Sequence, residues 1–183
     1  MDKVLVPDLL MAQVAKGDPG AFEQLYILTY RPVYAFLLSL TLNQDDAKDL
    51  MQETYIRVHG SAHLYKGGGN VMAWIMKIAK NLFLMEQRKR CLEQVYLEDY
   101  MSAEGDIPFD DISRFETREF FKELFTKLDD DERNIVILHV VAGFKHREIA
   151  ELLNHPVGTV TSKYKRAIAK LSNFADKIKK GAE

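Results

Sequence analysis

Residues 143–171, GFKHREIAELLNHPVGTVTSKYKRAIAKL, constrain the fold of this chain more tightly than any other stretch. Their apolar spacing and their breakers predict two short helices joined by a tight turn. Ile149, Leu152 and Leu153 form the inward stripe of the first helix, and Ala150 is small enough to let the second approach closely. Asn154 tolerates the left-handed conformation that ends a helix. Pro156 cannot continue the first helix but suits the opening of the next, which starts the second helix at about Val157. There Val160, Tyr164, Ala167 and Leu171 recur on one face, while Thr159, Ser162, Lys165 and Arg166, with Lys163 beside them, supply a polar and basic surface. Such a surface suits a helix laid in the major groove of DNA. The same stripes also occur in ordinary helical hairpins, where a basic face is simply a solvated one.

Helical patterns extend through the rest of the chain, and no segment shows sustained strand-like alternation, so the expected class is all-α. A first helix is expected over residues 7–16, stopped by Gly17, Asp18 and Pro19. A second runs over 20–42 with Phe22, Leu25, Tyr26, Tyr34, Leu37 and Leu38, and Pro32 kinks or divides it. Residues 43–46 supply caps for a third helix ending near Val58, and Gly67 to Asn70 break the chain before a fourth over 71–90. Residues 91–112, with Gly105 and Pro108 and no period, read as a linker. Helical pattern resumes at Ser113 with Phe115, Phe120, Phe121, Leu124 and Phe125, and Asp129 to Asp131 cap a helix reaching Val141. The expected organisation is an N-terminal domain of residues 1–90, a linker of 91–112, a helix-turn-helix domain of 113–175, and a basic tail of 176–183 that frays.

The formal net charge of −2 conceals a strong asymmetry. Residues 93–111 carry seven acids and no Lys or Arg, residues 77–90 carry five bases against one acid, and residues 145–170 carry six against two. This pattern points to two basic binding surfaces joined by an acidic connector. No apolar run approaches a membrane span, and the N-terminus lacks the features of a signal peptide, so the expected location is the cytoplasm with no direct membrane insertion. The lone Cys91 offers neither an internal disulfide nor a metal cluster.

The third helix contains DDAKDLMQETYIRV, residues 45–58. With Ala47, Leu50, Met51, Tyr55 and Val58 as its core stripe, Asp49, Gln52, Glu53 and Arg57 share the outer surface. Residues 46–53 closely resemble the DAEDLVQE signature of extracytoplasmic-function (ECF) sigma factors, the small two-domain promoter-specificity subunits of bacterial RNA polymerase. Residues 73–82, AWIMKIAKNL, are similar to the family's AWLYRIARNL and are followed by Arg88, Lys89 and Arg90. Residues 128–133 resemble LPxxxR, Glu148, Ile149 and Ala150 are unchanged, and residues 156–160 resemble PxGTV.

The resemblance implies core RNA polymerase as a partner, engaged at the clamp coiled coil of the largest subunit by Asp49, Gln52, Glu53 and Arg57, and also at the flap. It implies promoter DNA as a second partner, with the minus-10 element melted and captured by Tyr65, Lys77, Lys80, Asn81 and Arg88, and the minus-35 element read by Thr159, Ser162, Lys163, Lys165 and Arg166. It also implies an anti-sigma factor, an acidic linker that runs near the RNA path, and Gly67 to Gly69 as a flexible base-capture loop. Trp74 at this family position packs the helix. Met85, Gly69, Asn70 and Lys145 depart from the family pattern.

Enzyme chemistry finds no support in the residues. His59 and His63 have metal-ligand spacing but lack a third ligand, and neither an activated serine nor a nucleotide loop accompanies them. The expectation is a non-enzyme without metal or cofactor. The competing reading is a stand-alone helix-turn-helix regulator, which leaves residues 46–53 unexplained; a third is a pure interaction module.

Overall fold

Local chemistry sets most helix boundaries. Asp18 accepts from the backbone N–H groups of Gly20 and Ala21 at 2.9 and 3.2 Å, so the residues expected to stop the first helix also start the second. Asn43 likewise accepts from Asp45 and Asp46 at 2.9 and 3.2 Å, and the two acids that follow suit the positive end of the helix they open. A computed structural model of the protein describes residues 6–94 and 126–181, which fall into two compact helical units. The helices of the first are α1 (Asp8–Ala15), α2 (Pro19–Thr41), α3 (Gln44–Ser61) and α4 (Val71–Gln94), with a 3-10 turn at Ala62–Leu64. Those of the second are α5 (Asp130–Val136), which passes into a π turn at Ile137–Val141, then α6 (His146–Leu153) and α7 (Val157–Gly181).

Three expectations are corrected. Pro32 does not divide α2, because it sits buried within one continuous helix. The fourth helix passes Arg90 and takes in the first residues assigned to the linker, and the tail is helical as far as Gly181. Linker residues 95–112 and the start of the second domain at 113–125 lie outside the described residues.

In the first unit α2 packs on α1, α3 and α4. Leu25, Val33, Phe36 and Leu37 of α2 meet a core that includes Val58 of α3 and Met72, Ile75, Met76 and Ala79 of α4, all fully buried. One polar pair lies inside it. The Thr29 hydroxyl donates to the Leu25 carbonyl at 2.6 Å, which leaves it as acceptor for the Tyr55 hydroxyl at 2.7 Å. Burial pushes the Tyr55 phenol well above its ordinary value. Thr29→Val should cost about 2 kcal/mol by leaving the Tyr55 hydroxyl without a partner, and adding Tyr55→Phe should recover part of the loss. Urea unfolding of the two single variants and the double variant checks this.

Candidate nucleic-acid interface

The turn between α6 and α7 forms as its residues dictate. Asn154 adopts φ 59° and ψ 46°, and α7 opens directly after Pro156. Ile149 and Ala150 are buried, as are Val160 and Ala167 on the facing helix. Lys145 stands at the N-cap of α6, where its side chain cannot accept; only its backbone N–H is served, by Glu148 Oε2 at 2.8 Å. His146 Nδ1 lies 3.2 Å from the Thr161 hydroxyl and ties the start of α6 to α7.

Along α7, Ser162, Lys165 and Arg166 are exposed and Thr159 is half-buried beside them. Lys163 does not share that surface. Its ammonium lies 2.9 Å from Asp131 and 3.6 Å from Asp129, at the N-terminal end of α5. Lys170 is exposed along its length, but its ammonium reaches 2.6 Å from the buried carboxylate of Glu132. Of the six bases in residues 145–170, therefore, Lys163 and Lys170 brace α7 against α5 through ion pairs, and Lys145, Arg147, Lys165 and Arg166 stand on exposed positions outside that bracing. The segment at 128–133 is equally structural. Asp129 and Glu132 close a reciprocal capping box, and the buried Arg133 donates to the Leu128 carbonyl at 3.2 Å and to Asp130 at 3.1 Å.

Asp131 joins this bracing through both oxygens, since His155 Nε2 in the turn lies 3.2 Å from Oδ1. Burial alone would raise its carboxyl, but hydrogen bonds from Lys163 and His155 outweigh burial and hold it below the usual carboxylate range. A carboxyl depressed in the folded state stabilises above its unfolded value of about 3.9, and that contribution disappears as pH falls through the folded value. Asp131→Asn should therefore lower the melting temperature at neutral pH, with variant and parent converging as pH falls below the unfolded value and through the folded one. Calorimetry across that range reads the effect.

In the first unit, α4 sets its basic residues by helical phase. At 100° per residue Lys77, Asn81 and Arg88 fall within about 40° of one another, opposite the buried seam of Val71, Met72, Ile75, Met76 and Ala79, and all three are exposed. Lys80 differs from expectation. It sits on the shoulder of the seam, half-buried, and burial lowers its ammonium below the ordinary value. Arg90 is engaged within the unit, donating through Nη1 and Nη2 to both oxygens of Asp46 at 2.9 and 2.7 Å and so joining the end of α4 to the start of α3. That bidentate contact holds the Asp46 carboxyl below its usual range.

The chain leading into α4 is shaped by Gly67 and Gly68, whose φ values of 72° and 69° favour glycine. Asn70 accepts from the Ala73 N–H and starts the helix. Trp74, expected in the core, is half-buried and meets the Tyr65 ring edge-on at 5.7 Å.

On α3, Asp49, Gln52 and Arg57 are exposed and Glu53 is half-exposed, with Glu53 Oε1 accepting from Arg57 Nε at 2.7 Å. Sequence reasoning missed Ile56, which stands among them 64% exposed. The signal was present: its position lies on the polar face and off the core stripe. Among the described residues no group of three His, Cys, Asp or Glu is placed to hold a metal ion, and no helix is long and apolar enough to cross a membrane. His59 instead meets Phe22 edge-on at 5.0 Å.

Two family descriptions match, sigma-70 region 2 over residues 25–91 and sigma-70 region 4 over residues 121–171. The chain is 34% identical to the ECF RNA polymerase sigma factor EcfG of Rhodopseudomonas palustris, over 75% of this chain and 76% of that one. It is 27% identical to the ECF RNA polymerase sigma-E factor of Escherichia coli, over 94% and 96%. Among solved structures it resembles the sigma factor RpoE of Bartonella quintana, crystallised with the anti-sigma factor NepR, at 27% identity and a TM-score of 0.70, covering 85% of this chain and 96% of that one.

Proposed function

The chain belongs to the ECF group of the sigma-70 RNA polymerase sigma factors, and from that footing we propose how its exposed surfaces divide the work of promoter-specific transcription initiation. Residues 1–90 bind core polymerase and the minus-10 element, residues 113–175 read the minus-35 element, and the acidic linker of 91–112 joins them through the enzyme. The outer face of α3 supports this best. Asp49, Gln52, Glu53 and Arg57 surround the exposed Ile56, a polar ring about an apolar anchor, which is how a protein-binding patch is built and which a DNA-binding surface, rich in cations, does not need. This face docks on the clamp coiled coil of the largest subunit.

The exposed Lys77, Asn81 and Arg88 of α4 meet the melted minus-10 strand, where cations hold phosphates and the amide reads a base edge. Tyr65 lends an aromatic ring, and Lys80 contributes its half-buried ammonium at the edge of that surface. Thr159, Ser162, Lys165 and Arg166 enter the minus-35 major groove, while Lys163 steadies α7 from behind. Each contact set is weak by itself, and joining both to one polymerase raises the effective concentration of the second contact once the first has formed. The protein works by binding alone, in the cytoplasm, and an anti-sigma factor holds it in check when its promoters are silent.

Gel filtration with purified core polymerase, followed by run-off transcription from a promoter selected by the reconstituted holoenzyme, tests the assignment. Co-elution and promoter-dependent transcripts are expected. Sequence-specific binding to an operator by the free protein, with no polymerase association, would instead make it a stand-alone regulator.

A further inference from the structure

Asp8, in the first turn of α1, reaches the loop that leads into α4. Its Oδ1 accepts from the Tyr65 hydroxyl at 2.8 Å and its Oδ2 from the Gly68 backbone N–H at 2.7 Å, partners that lie 57 and 60 residues away in sequence. One carboxylate thus fixes both ends of the contact, the loop backbone and the aromatic ring before it. Asp8 also suits the positive end of α1, but it caps no backbone N–H there, so its two hydrogen bonds both go to the distant loop.

The held loop contains three successive glycines, and free glycine backbone loses more conformational freedom on ordering than any other residue. A loop ordered in advance does not pay that cost when it binds. The Tyr65 ring is also constrained by Trp74, which lies edge-on to it at 5.7 Å. With its hydroxyl proton directed at Asp8, Tyr65 has no hydrogen to donate to a base, so its contribution there is the ring, which suits stacking on an unpaired base of any identity.

A carboxylate beside DNA is, electrostatically, a liability. Unless it does structural work, removing its charge strengthens phosphate binding. That sign separates the two roles.

We propose that Asp8 is a positioning residue for base capture: it holds the glycine loop and the Tyr65 ring in the geometry that receives an unstacked minus-10 base. The inference rests on the assignment of α4 and its preceding loop to the minus-10 element. The test uses the full chain assembled with core polymerase, on promoter fragments carrying 2-aminopurine at successive minus-10 positions. Asp8→Asn and Asp8→Ala should reduce the fluorescence rise on opening and weaken binding of the single-stranded minus-10 oligonucleotide by about tenfold, the loss typical of a hydrogen bond to a charged group. Core polymerase binding should be unchanged. Tyr65→Phe should give a smaller loss, and combining it with Asp8→Ala should add little.

Opening and oligonucleotide binding equal to or stronger than the parent's in both Asp8 variants would overturn the proposal, as would an equal loss of core polymerase binding. If the parent holoenzyme opens promoters with no signal from any minus-10 position, the assignment of the loop itself falls and the proposal falls with it.

Discussion

Reversing the charge of the outer α3 face, by Asp49→Lys together with Glu53→Lys, is expected to weaken core polymerase binding by about a hundredfold while leaving the fold intact. The size corresponds to about 1.4 kcal/mol, or tenfold, for each of the two reversed charges when coupled to a charged partner. Little of the effect can come from stability. Asp49 is exposed, and the Glu53 to Arg57 pair is a surface i,i+4 contact of the kind worth about half a kcal/mol. Ile56→Ser should weaken binding through loss of the apolar anchor, again without unfolding, because its side chain is 64% exposed. Fluorescence titration of labelled protein with core polymerase, alongside thermal unfolding, measures both. Near-parental affinity in the double reversal would remove α3 as the docking face.

The second large effect is on opening. Lys77→Ala, Asn81→Ala and Arg88→Ala combined should reduce open-complex formation by about a hundredfold with core polymerase binding preserved. Two lost phosphate contacts should lower the slope of log binding against log salt by about two, and the lost amide should relax base preference at one position, where a bidentate contact is worth about 1–3 kcal/mol. Permanganate footprinting of the melted region across salt concentrations separates these contributions. Lys163→Ala provides the contrast. It should lower the melting temperature by releasing Asp131 and Asp129 and leave the minus-10 behaviour unchanged. A triple variant that opens promoters normally would move the melting surface off α4.

What was legible in the sequence was whatever a residue decides for itself. Asn154 and Pro156 placed the turn, Asp18 the end of the first helix, and Asn43 and Asp129 helix starts, because left-handed tolerance, a missing N–H and a capping side chain act over three or four residues. Outward faces were legible for the same reason, since helical phase is local. Partners far along the chain were not. Arg90 and Lys163 read as free cations, yet Arg90 closes on Asp46, 44 residues away, and Lys163 on the acids of α5. Tyr65 read only as a minus-10 contact, and its bond to Asp8, 57 residues away, was not foreseen. A charge pattern cannot distinguish a solvated lysine from one that braces a helix, because both occupy the same shoulder of the wheel. Core methionines were also missed: Met72 and Met76 are fully buried in α4 beside Ile75 and Ala79. Ile78 and Leu82 are half-buried, since they stand at the rim of the seam.

The account's central claim is that one polypeptide, held on polymerase by α3, reads two separated promoter elements. Sequencing the 5′ ends of transcripts made by the reconstituted holoenzyme on fragmented genomic DNA tests it directly. Start sites should share two short motifs at a constant spacing, the upstream one losing its information content when Arg166 and Lys165 are replaced by Ala and the downstream one when Asn81 is. Start sites sharing one palindromic motif, or no motif beyond those used by core polymerase alone, would contradict it.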